Sequence, residues 1–131
     1  MRLLLDTHVW LWLLCEPDRL GPRFCALIDD EQTELYLSVA SLWEVAIKTS
    51  IGKLRLSVAL DELLAQGERD LGLNILPIHA SHALAVESLP SHHRDPFDRM
   101  LVAQANAEML TIATVDSALG AYPVRSVSPR E

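Results

Sequence analysis

Four acidic residues stand where the ends of strands and the starts of helices would bring them together. Asp6 follows the apolar run Leu3–Leu5, and Asp116 follows a second apolar run later in the chain. Glu44 and Asp98 lie in segments with helical spacing. Open parallel sheets bind ligands beyond the carboxyl ends of their strands, and carboxylates gathered there repel one another unless a cation neutralises them. The pattern therefore predicts a site for a hard, oxygen-loving divalent ion, Mg²⁺ or Mn²⁺.

Glu44 and Asp98 each also have a purely structural interpretation. Asp95 can be an N-cap, Pro96 suits the first helical position, and an acid at the third position favours the helix dipole. Ser41 and Glu44 have the spacing of a capping box. The immediate neighbours of Glu44 are apolar, however, which is unusual for a solvent-facing cap. We predict that Asp95 is mainly a cap and that Glu44 and Asp98 face the crevice.

Asp6 and Asp116 each follow a strand and each have a hydroxyl nearby. Thr7 adjoins the first, and Thr114 and Ser117 flank the second. A turn-forming Asp after a strand is common, so neither acid is decisive alone. Four acids in this order of strand ends and helix starts are much less probable by chance than a single Asp after a strand. Thr7, Thr114 and Ser117 are secondary candidates for the site.

The rest of the chain alternates between predicted strands and helices. The predicted strands are Leu3–Leu5, Leu35–Leu37, Leu73–Ile78, Met109–Thr114 and Val124–Val127. The predicted helices are His8–Leu14, Arg23–Glu31, one capped by Ser38 or Ser41 and ending at Ile51 before Gly52, one capped by Ser57, His79–Leu89 and Asp95–Glu108. Such alternation with short connections indicates parallel βαβ units. We expect a single α/β domain over residues 1–131, with three α/β/α layers around a mostly parallel sheet.

Composition narrows the class of protein. The chain has 131 residues, 50% of them apolar, which is enough for one core without disulfides. Its net charge of −7 argues against a protein that coats nucleic acid electrostatically. Cys15 and Cys25 form neither a Cys-x-x-Cys pair nor a zinc spacing, which fits a reducing compartment.

The first residues superficially resemble a secretory signal, with Arg2 and several leucines. Asp6 and His8 interrupt the apolar stretch, and no small-residue cleavage site follows. No run of roughly 18 apolar residues occurs anywhere in the sequence. We therefore expect a cytoplasmic protein.

The histidines offer a weaker alternative site. His79 and His82 could share one helical face and, with His92 and His93, suggest zinc. Adjacent histidines do not easily point the same way, so we expect these residues on the surface or behind the acids.

Aromatic and basic residues suggest contacts with partners. The helix containing Trp10 and Trp12 is apolar around most of its circumference, so one side would be exposed unless a second copy or another protein covers it. Trp10, Trp12 and Trp43 are interpreted as core or interface residues rather than base-stacking platforms. Lys48 and Lys53, with Arg55, form either a basic patch for phosphate or ordinary helix-end cations. The candidates for contacts with RNA are Lys48, Lys53 and Arg99.

Several motifs resemble the PIN-domain family, specifically VapC-like toxins of type II toxin–antitoxin pairs. They are Leu-Leu-Asp6-Thr-His-Val-Trp, then Ser-Leu-Trp-Glu44-Val-Ala-Ile-Lys with Ile-Gly-Lys-Leu, then His-His-Arg-Asp-Pro-Phe-Asp98-Arg-Met-Leu-Val-Ala-Gln-Ala, and finally Thr-Val-Asp116. They cover nearly the whole chain, and the motif around Asp98 is quite specific. One departure is Val115, where the family often has Asn or a small residue.

The resemblance implies a Mg²⁺- or Mn²⁺-dependent endoribonuclease whose acidic quartet falls on Asp6, Glu44, Asp98 and Asp116. One or two ions would be held chiefly by Asp6 and Asp98, and a metal-activated water would cleave the RNA. It also implies a cognate antitoxin and a homodimer.

Two other functions remain open at this point. A phosphatase using Asp6 as a covalent nucleophile would explain an acid after the first strand, although the position where such enzymes have a second Asp holds His8. In a non-catalytic binding module, the acids would only cap helices and a protein would be the sole ligand.

Overall fold

A five-stranded parallel sheet forms the centre of the protein. We describe residues 1–91 and 95–131 of a computed structural model. The strand order is β3-β2-β1-β4-β5. In chain order the strands are β1 (Arg2–Leu5), β2 (Glu34–Ser38), β3 (Asn74–Leu76), β4 (Thr111–Ala113) and β5 (Ser126–Val127). In register, Leu3 of the central β1 pairs with Leu35 on one side and Thr111 on the other.

Helices connect the strands and cover the sheet. They are α1 (Thr7–Cys15), α2 (Pro22–Asp29), α3 (Val39–Ser50), α4 (Leu60–Leu71), α5 (Ala80–Val86), α6 (Pro96–Glu108) and α7 (Ser117–Gly120). A 3-10 turn at Pro17–Arg19 and the short α7 were not expected from the sequence. The predicted α/β class with a central parallel sheet is confirmed.

The side chains of β1 divide between two cores, one on each face of the sheet. Leu3 and Leu5 pack in the core that also contains side chains from α1 to α4. Leu4 points the other way, into the core formed with α6 and α7. Burying a leucine stabilises a fold by about 1.5–3 kcal/mol. Because both faces of β1 are covered, this strand is continuously apolar from Leu3 to Leu5, as parallel central strands usually are.

Helix ends account for most differences from the predicted boundaries. Ser38 is the N-cap of α3, and its hydroxyl accepts from the backbone N–H of Ala40 at 3.0 Å. Ser41 lies inside the helix, so the Ser41 capping box is wrong. The cap expected at Ser57 is also wrong, because α4 begins after Ala59 with no side-chain cap. Gly52 has the positive φ, 76°, that was expected after α3.

The expectation that the histidines lie on the surface or behind the acids is wrong for His82. Its side chain is fully buried, and Nδ1 accepts from the backbone N–H of His79 at 3.0 Å. Its Nε2 lies 2.8 Å from a carboxylate oxygen of Glu108, so His82 ties α5 to the end of α6. His92 and His93 lie outside the described residues.

The first helix is covered by other parts of the same chain. Trp10 is fully buried and Trp12 is only 8% exposed. Gly67 of α4 approaches so closely that a Cβ there would lie 3.3 Å from the indole nitrogen of Trp10. Because α4 packs against α1 and both indoles are buried within the single chain, they belong to its core. Among the described residues, no helix is long and apolar enough to cross a membrane.

Met109 ends α6 in the left-handed conformation, with φ 57°, and its side chain is 85% exposed. It therefore occupies a turn rather than the strand predicted from Met109, and β4 begins two residues later. A residue with a Cβ is strained at such a C-cap, whereas glycine is not. We expect Met109→Gly to raise the free energy of unfolding by about 1 kcal/mol, measured by urea denaturation.

Gly72 provides the matched control, since it ends α4 with φ 62° and has open space around its Cα. Gly72→Ala should lower the free energy of unfolding by a similar amount, on the order of 1 kcal/mol. A Met109→Gly variant no more stable than the parent would contradict the strain at residue 109.

Candidate active site

An acidic pocket of about 390 Å³ opens at the carboxyl end of the central strands. It contains all four acids predicted from the sequence, together with the predicted cap. The lining residues are Asp6, His8, Trp12, Glu44, Lys48, Asp95, Asp98, Val115 and Asp116. Elements far apart in the chain thus contribute to one site, as the sheet topology requires.

Asp6 is placed by the end of β1 and the start of α1. One carboxylate oxygen accepts from the backbone N–H of Thr7 at 2.7 Å, and the other accepts from the hydroxyl of Thr114 at 2.8 Å. Burial raises the pKa of Asp6, and the negative charge of Glu44 adds to this effect. The two hydrogen bonds and the nearby His8 oppose it without cancelling it. Asp6 is therefore a desolvated carboxylate with fixed orientation.

Glu44 enters the pocket from α3 and is only 4% exposed. Its Oε1 lies 2.7 Å from the hydroxyl of Thr7, which donates to it because a carboxylate can only accept. The same hydroxyl lies 2.9 Å from that of Ser41. Thr7 thus contacts Asp6 through its backbone and Glu44 through its side chain, and holds the two acids in fixed relation.

Lys48 is one helical turn beyond Glu44, and its ammonium donates to Oε2 at 2.6 Å. The pKa of Lys48 is raised, first by this hydrogen bond and then by the charges of Glu44, Asp95 and Asp98, which outweigh desolvation. Among the described residues that line the pocket, Lys48 is the only lysine or arginine. The sequence suggested an RNA contact for it, and the structure places it against an acid.

The start of α6 brings two further acids to the pocket. Asp95 caps the helix, as predicted, and accepts from the backbone N–H groups of Phe97 at 2.8 Å and Asp98 at 3.3 Å. Asp98 is the third residue of α6 and lines the pocket beside Asp95. The cap therefore sets the direction from which Asp98 enters the site.

The end of β4 supplies the remaining acid. The hydroxyl of Thr114 accepts from the backbone N–H of Asp116 at 3.0 Å while it donates to Asp6. Asp116 itself caps α7 through the N–H of Ala118 at 2.9 Å. Ser117 is exposed and lines a neighbouring cavity instead of the acidic pocket. Thr114 thus connects the two strand-end acids, whereas Ser117 does not.

Lys53 and Arg99, which were predicted to contact RNA, lie in different parts of the structure. Lys53 lines a cavity that adjoins the acidic pocket. Arg99 points away, and its guanidinium donates to the carbonyls of Pro90 at 3.0 Å and Val86 at 3.1 Å. Arg99 thus joins α6 to the end of α5 and to the segment that follows it, and its contact with RNA stays a prediction.

His8 was not selected from the sequence, and Trp12 was selected only as a contact with a partner; both line the pocket. His8 is the second residue of α1 and faces the pocket beside Asp6. Its position two residues after a strand-end acid was the available signal. Trp12 lies one turn further along α1 and packs against Arg19, whose guanidinium carbon is 5.1 Å from the ring centroid. Its role in the pocket wall depends on how α1 is rotated over the sheet.

The acids fit a hard divalent cation in the chemistry of their donors. They offer carboxylate oxygens, those of Asp6 and Glu44 almost fully buried, and Glu44 already has a cation, the Lys48 ammonium, in contact. Among the described residues, no three carboxylate, imidazole or thiol groups converge closely enough to hold an ion as they stand. The donor types therefore fit a metal, while the side-chain positions are those of a site closed around its own lysine.

Solved structures with the same fold support the architecture. VapBC2 from Rickettsia felis, bound to a DNA fragment from their promoter, aligns with a TM-score of 0.71, 17% identity and 98% of each chain covered. DNA-bound VapBC from Salmonella typhimurium aligns with a TM-score of 0.66, 18% identity and 98% of each chain covered. FitAcB from Neisseria gonorrhoeae aligns with a TM-score of 0.64, 23% identity and 97% of each chain covered. At these identities the likeness concerns the fold. No curated protein matches the sequence significantly.

The family itself is established from the sequence. The model of the PIN domain matches residues 3–124, a range that includes every acid of the pocket. PIN domains are nucleases, so the match supports a nuclease role for this chain. This chain belongs to the PIN-domain family.

Proposed function

We propose that this protein is a Mg²⁺- or Mn²⁺-dependent endoribonuclease and the toxin component of a type II toxin–antitoxin pair. The single observation that carries the proposal is the acidic pocket, which gathers Asp6, Glu44, Asp98 and Asp116 from four separate elements of a PIN domain. Desolvated carboxylates of this kind are what a nuclease needs to hold divalent ions next to a phosphodiester.

The reaction requires a water molecule and an electrophilic phosphorus atom, and no side-chain nucleophile. A bound divalent ion would supply Lewis acidity and lower the pKa of a water molecule. Water attacks phosphorus, the P–O3′ bond breaks, and the products carry a 5′-phosphate and a 3′-hydroxyl. Asp6 and Asp98 are the main proposed ligands, with Glu44 and Asp116 completing the site.

The neighbouring residues keep these ligands oriented. The N–H of Thr7 and the hydroxyl of Thr114 each bind a different oxygen of Asp6, so its carboxylate plane has little freedom. The hydroxyl of Thr7 also restrains Glu44. Such preorganisation reduces the reorganisation that would otherwise accompany the reaction. Lys53 lines the adjoining cavity and would contact the phosphate backbone of a bound strand.

The proposed partners are a cognate antitoxin, an RNA substrate and a second copy of this chain. The structures named VapBC and FitAcB support the antitoxin, because this chain shares their fold over nearly its whole length. The acidic pocket would accept a basic side chain from such a partner. With Trp10 and Trp12 in the core, an interface must use other apolar residues, and Trp43 and Leu84 are exposed.

Removing either main ligand tests the nuclease. We expect Asp6→Asn and Asp98→Asn each to lower RNA cleavage in Mn²⁺ by at least about 100-fold, because each removes a carboxylate that holds the ion. Cleavage of a labelled RNA is measured beside a DNA of the same sequence, and again with EDTA. Cleavage of DNA alone, or activity that persists in EDTA, would contradict the metal-dependent ribonuclease.

Asp95→Asn is the matched control for Asp98→Asn. Asn caps a helix about as well as Asp, so this change should leave stability and most activity intact. If the loss matches that of Asp98→Asn while stability is unchanged, Asp95 holds the metal directly. A protein that binds Mn²⁺ but hydrolyses only phosphomonoesters would favour the phosphatase. One that binds neither metal nor RNA would favour the protein-binding module.

The raised pKa of Asp6 predicts how metal-free stability depends on pH. The folded state holds the proton of this carboxyl more tightly than the unfolded state, whose pKa is near 3.8. Above the raised pKa, ionised Asp6 therefore lowers the free energy of unfolding, and this penalty decreases as pH falls towards 3.8. We expect Asp6→Asn to stabilise the metal-free protein near neutral pH and to lose that advantage in acid. Thermal midpoints across this range measure it, and a gain that is constant with pH would contradict the assignment.

The proposed homodimer is tested through Trp43, which is 60% exposed and contacts Phe97 edge-on at 5.2 Å between ring centroids. Truncating an aromatic anchor at an interface costs about 2 kcal/mol or more. We expect light scattering to show a dimer at tens of micromolar and Trp43→Ser to shift it towards monomer without unfolding it. Leu84→Ser, on another exposed helix, is the comparison variant. A parent protein that is monomeric under these conditions would overturn the homodimer.

A further inference from the structure

Lys48 stands on the wall between two cavities. One is the acidic pocket, and the other is an adjoining cavity of about 300 Å³. Both are lined by His8, Glu44 and Lys48, and Lys53 lines only the second. The side chain of Lys48 is 39% exposed, so its ammonium can leave the acids without crossing the protein core.

The carboxylate of Glu44 has both of its oxygens engaged by this chain. Thr7 donates to Oε1 and Lys48 donates to Oε2. Since Glu44 is nearly fully buried, its charge would be costly without such partners. Lys48 thus provides the positive charge that makes an ionised Glu44 tolerable in the metal-free protein.

We propose that the Lys48 ammonium is a built-in counter-cation, which a divalent ion must displace from Glu44 when it binds in the acidic pocket. This inference rests on the proposed metal-dependent function and deepens it, because it names the residue that sets the metal affinity. On displacement, Lys48 moves towards the adjoining cavity, which its side chain already lines.

The charges explain why the ammonium and the ion compete. A divalent ion bound to Oε2 would occupy the space of the ammonium, which now lies 2.6 Å from that oxygen. The ion would also repel the ammonium if both remained near Glu44. Asp95 and Asp98 attract Lys48 to the same region, as the direction of its pKa shift indicates. Lys48 is therefore held where the ion is needed, and metal binding must work against that attraction.

The test measures Mn²⁺ affinity by calorimetry on the full chain. Lys48→Met removes the charge and keeps the length of the side chain. We expect it to bind Mn²⁺ about tenfold more tightly than the parent, which corresponds to about 1.4 kcal/mol. Lys48→Arg keeps the charge and should stay within about threefold of the parent, a difference of less than 1 kcal/mol.

Lys53→Met is the matched control, because it deletes the same charge just beyond the end of α3, from a residue that lines only the adjoining cavity. Its Mn²⁺ affinity should stay close to that of the parent. Equal tightening in Lys48→Met and Lys53→Met would mean that net charge alone sets the affinity, which would overturn the proposal.

Thermal midpoints provide a second measurement that needs no activity. Without metal, Lys48→Met should be less stable than the parent, since Glu44 loses its counter-charge. Saturating Mn²⁺ should raise the midpoint of Lys48→Met more than that of the parent.

The two proposals fail in different ways. If the parent binds Mn²⁺ and Lys48→Met binds it equally or less tightly, then Lys48 stays on Glu44 in the metal-bound site. The proposed displacement of Lys48 by the ion is then wrong, while the nuclease proposal stands. If neither protein binds Mn²⁺, the metal-dependent function fails, and the inference fails with it.

Discussion

Keeping like-charged carboxylates together in a poorly hydrated pocket is the constraint on which the rest of the site depends. Asp6 and Glu44 are both almost fully buried, and the negative charge of Glu44 raises the cost of ionising Asp6. The protein meets that cost with short hydrogen bonds from Thr7 and Thr114 and with the ammonium of Lys48. Each of these donors belongs to an element that also carries an acid or adjoins one. The packing that brings the acids together therefore also brings the donors that stabilise them.

The parallel sheet makes this arrangement possible. Because β1 lies between β2 and β4, its end is next to the ends of both neighbours, and the N–H of Asp6 bonds to the carbonyl of Ala113 at 3.0 Å. Asp6 and Thr114 therefore meet at the same edge. An antiparallel β4 would begin at that edge, with Thr114 at the opposite end of the sheet.

Buried polar contacts outside the pocket hold the helices that carry the other acids. The hydroxyl of Ser38 donates to the side-chain oxygen of Gln104 at 2.5 Å, joining the start of α3 to α6. The amide of Gln104 donates in turn to the carbonyl of Pro77. His82 restrains the other end of α6 through Glu108. Glu44 lies on α3 and Asp98 lies on α6. These contacts therefore fix the distance between the two acids without touching either of them.

Some features of this protein follow from local sequence alone. Apolar runs that end in Asp6 and Asp116, alternating with helical segments, indicate a parallel α/β fold because chain connectivity and strand burial leave few other arrangements. Asp95 followed by Pro96 predicts a helix start, because capping depends on neighbours within a few residues. The order of the acids was therefore enough to predict that they share one pocket.

The side-chain environments were decided only by the tertiary structure. Whether Trp10 is exposed depends on α4, which is over fifty residues away in sequence and covers α1 through Gly67. Lys48 and Arg99 are both basic residues near acids in the sequence, yet one contacts Glu44 and the other binds backbone carbonyls after α5. Residue type and spacing determine which groups are available and on which element they lie. The rotation and packing of the helices over the sheet decide which groups meet, because those contacts join segments that have no local relation in the chain.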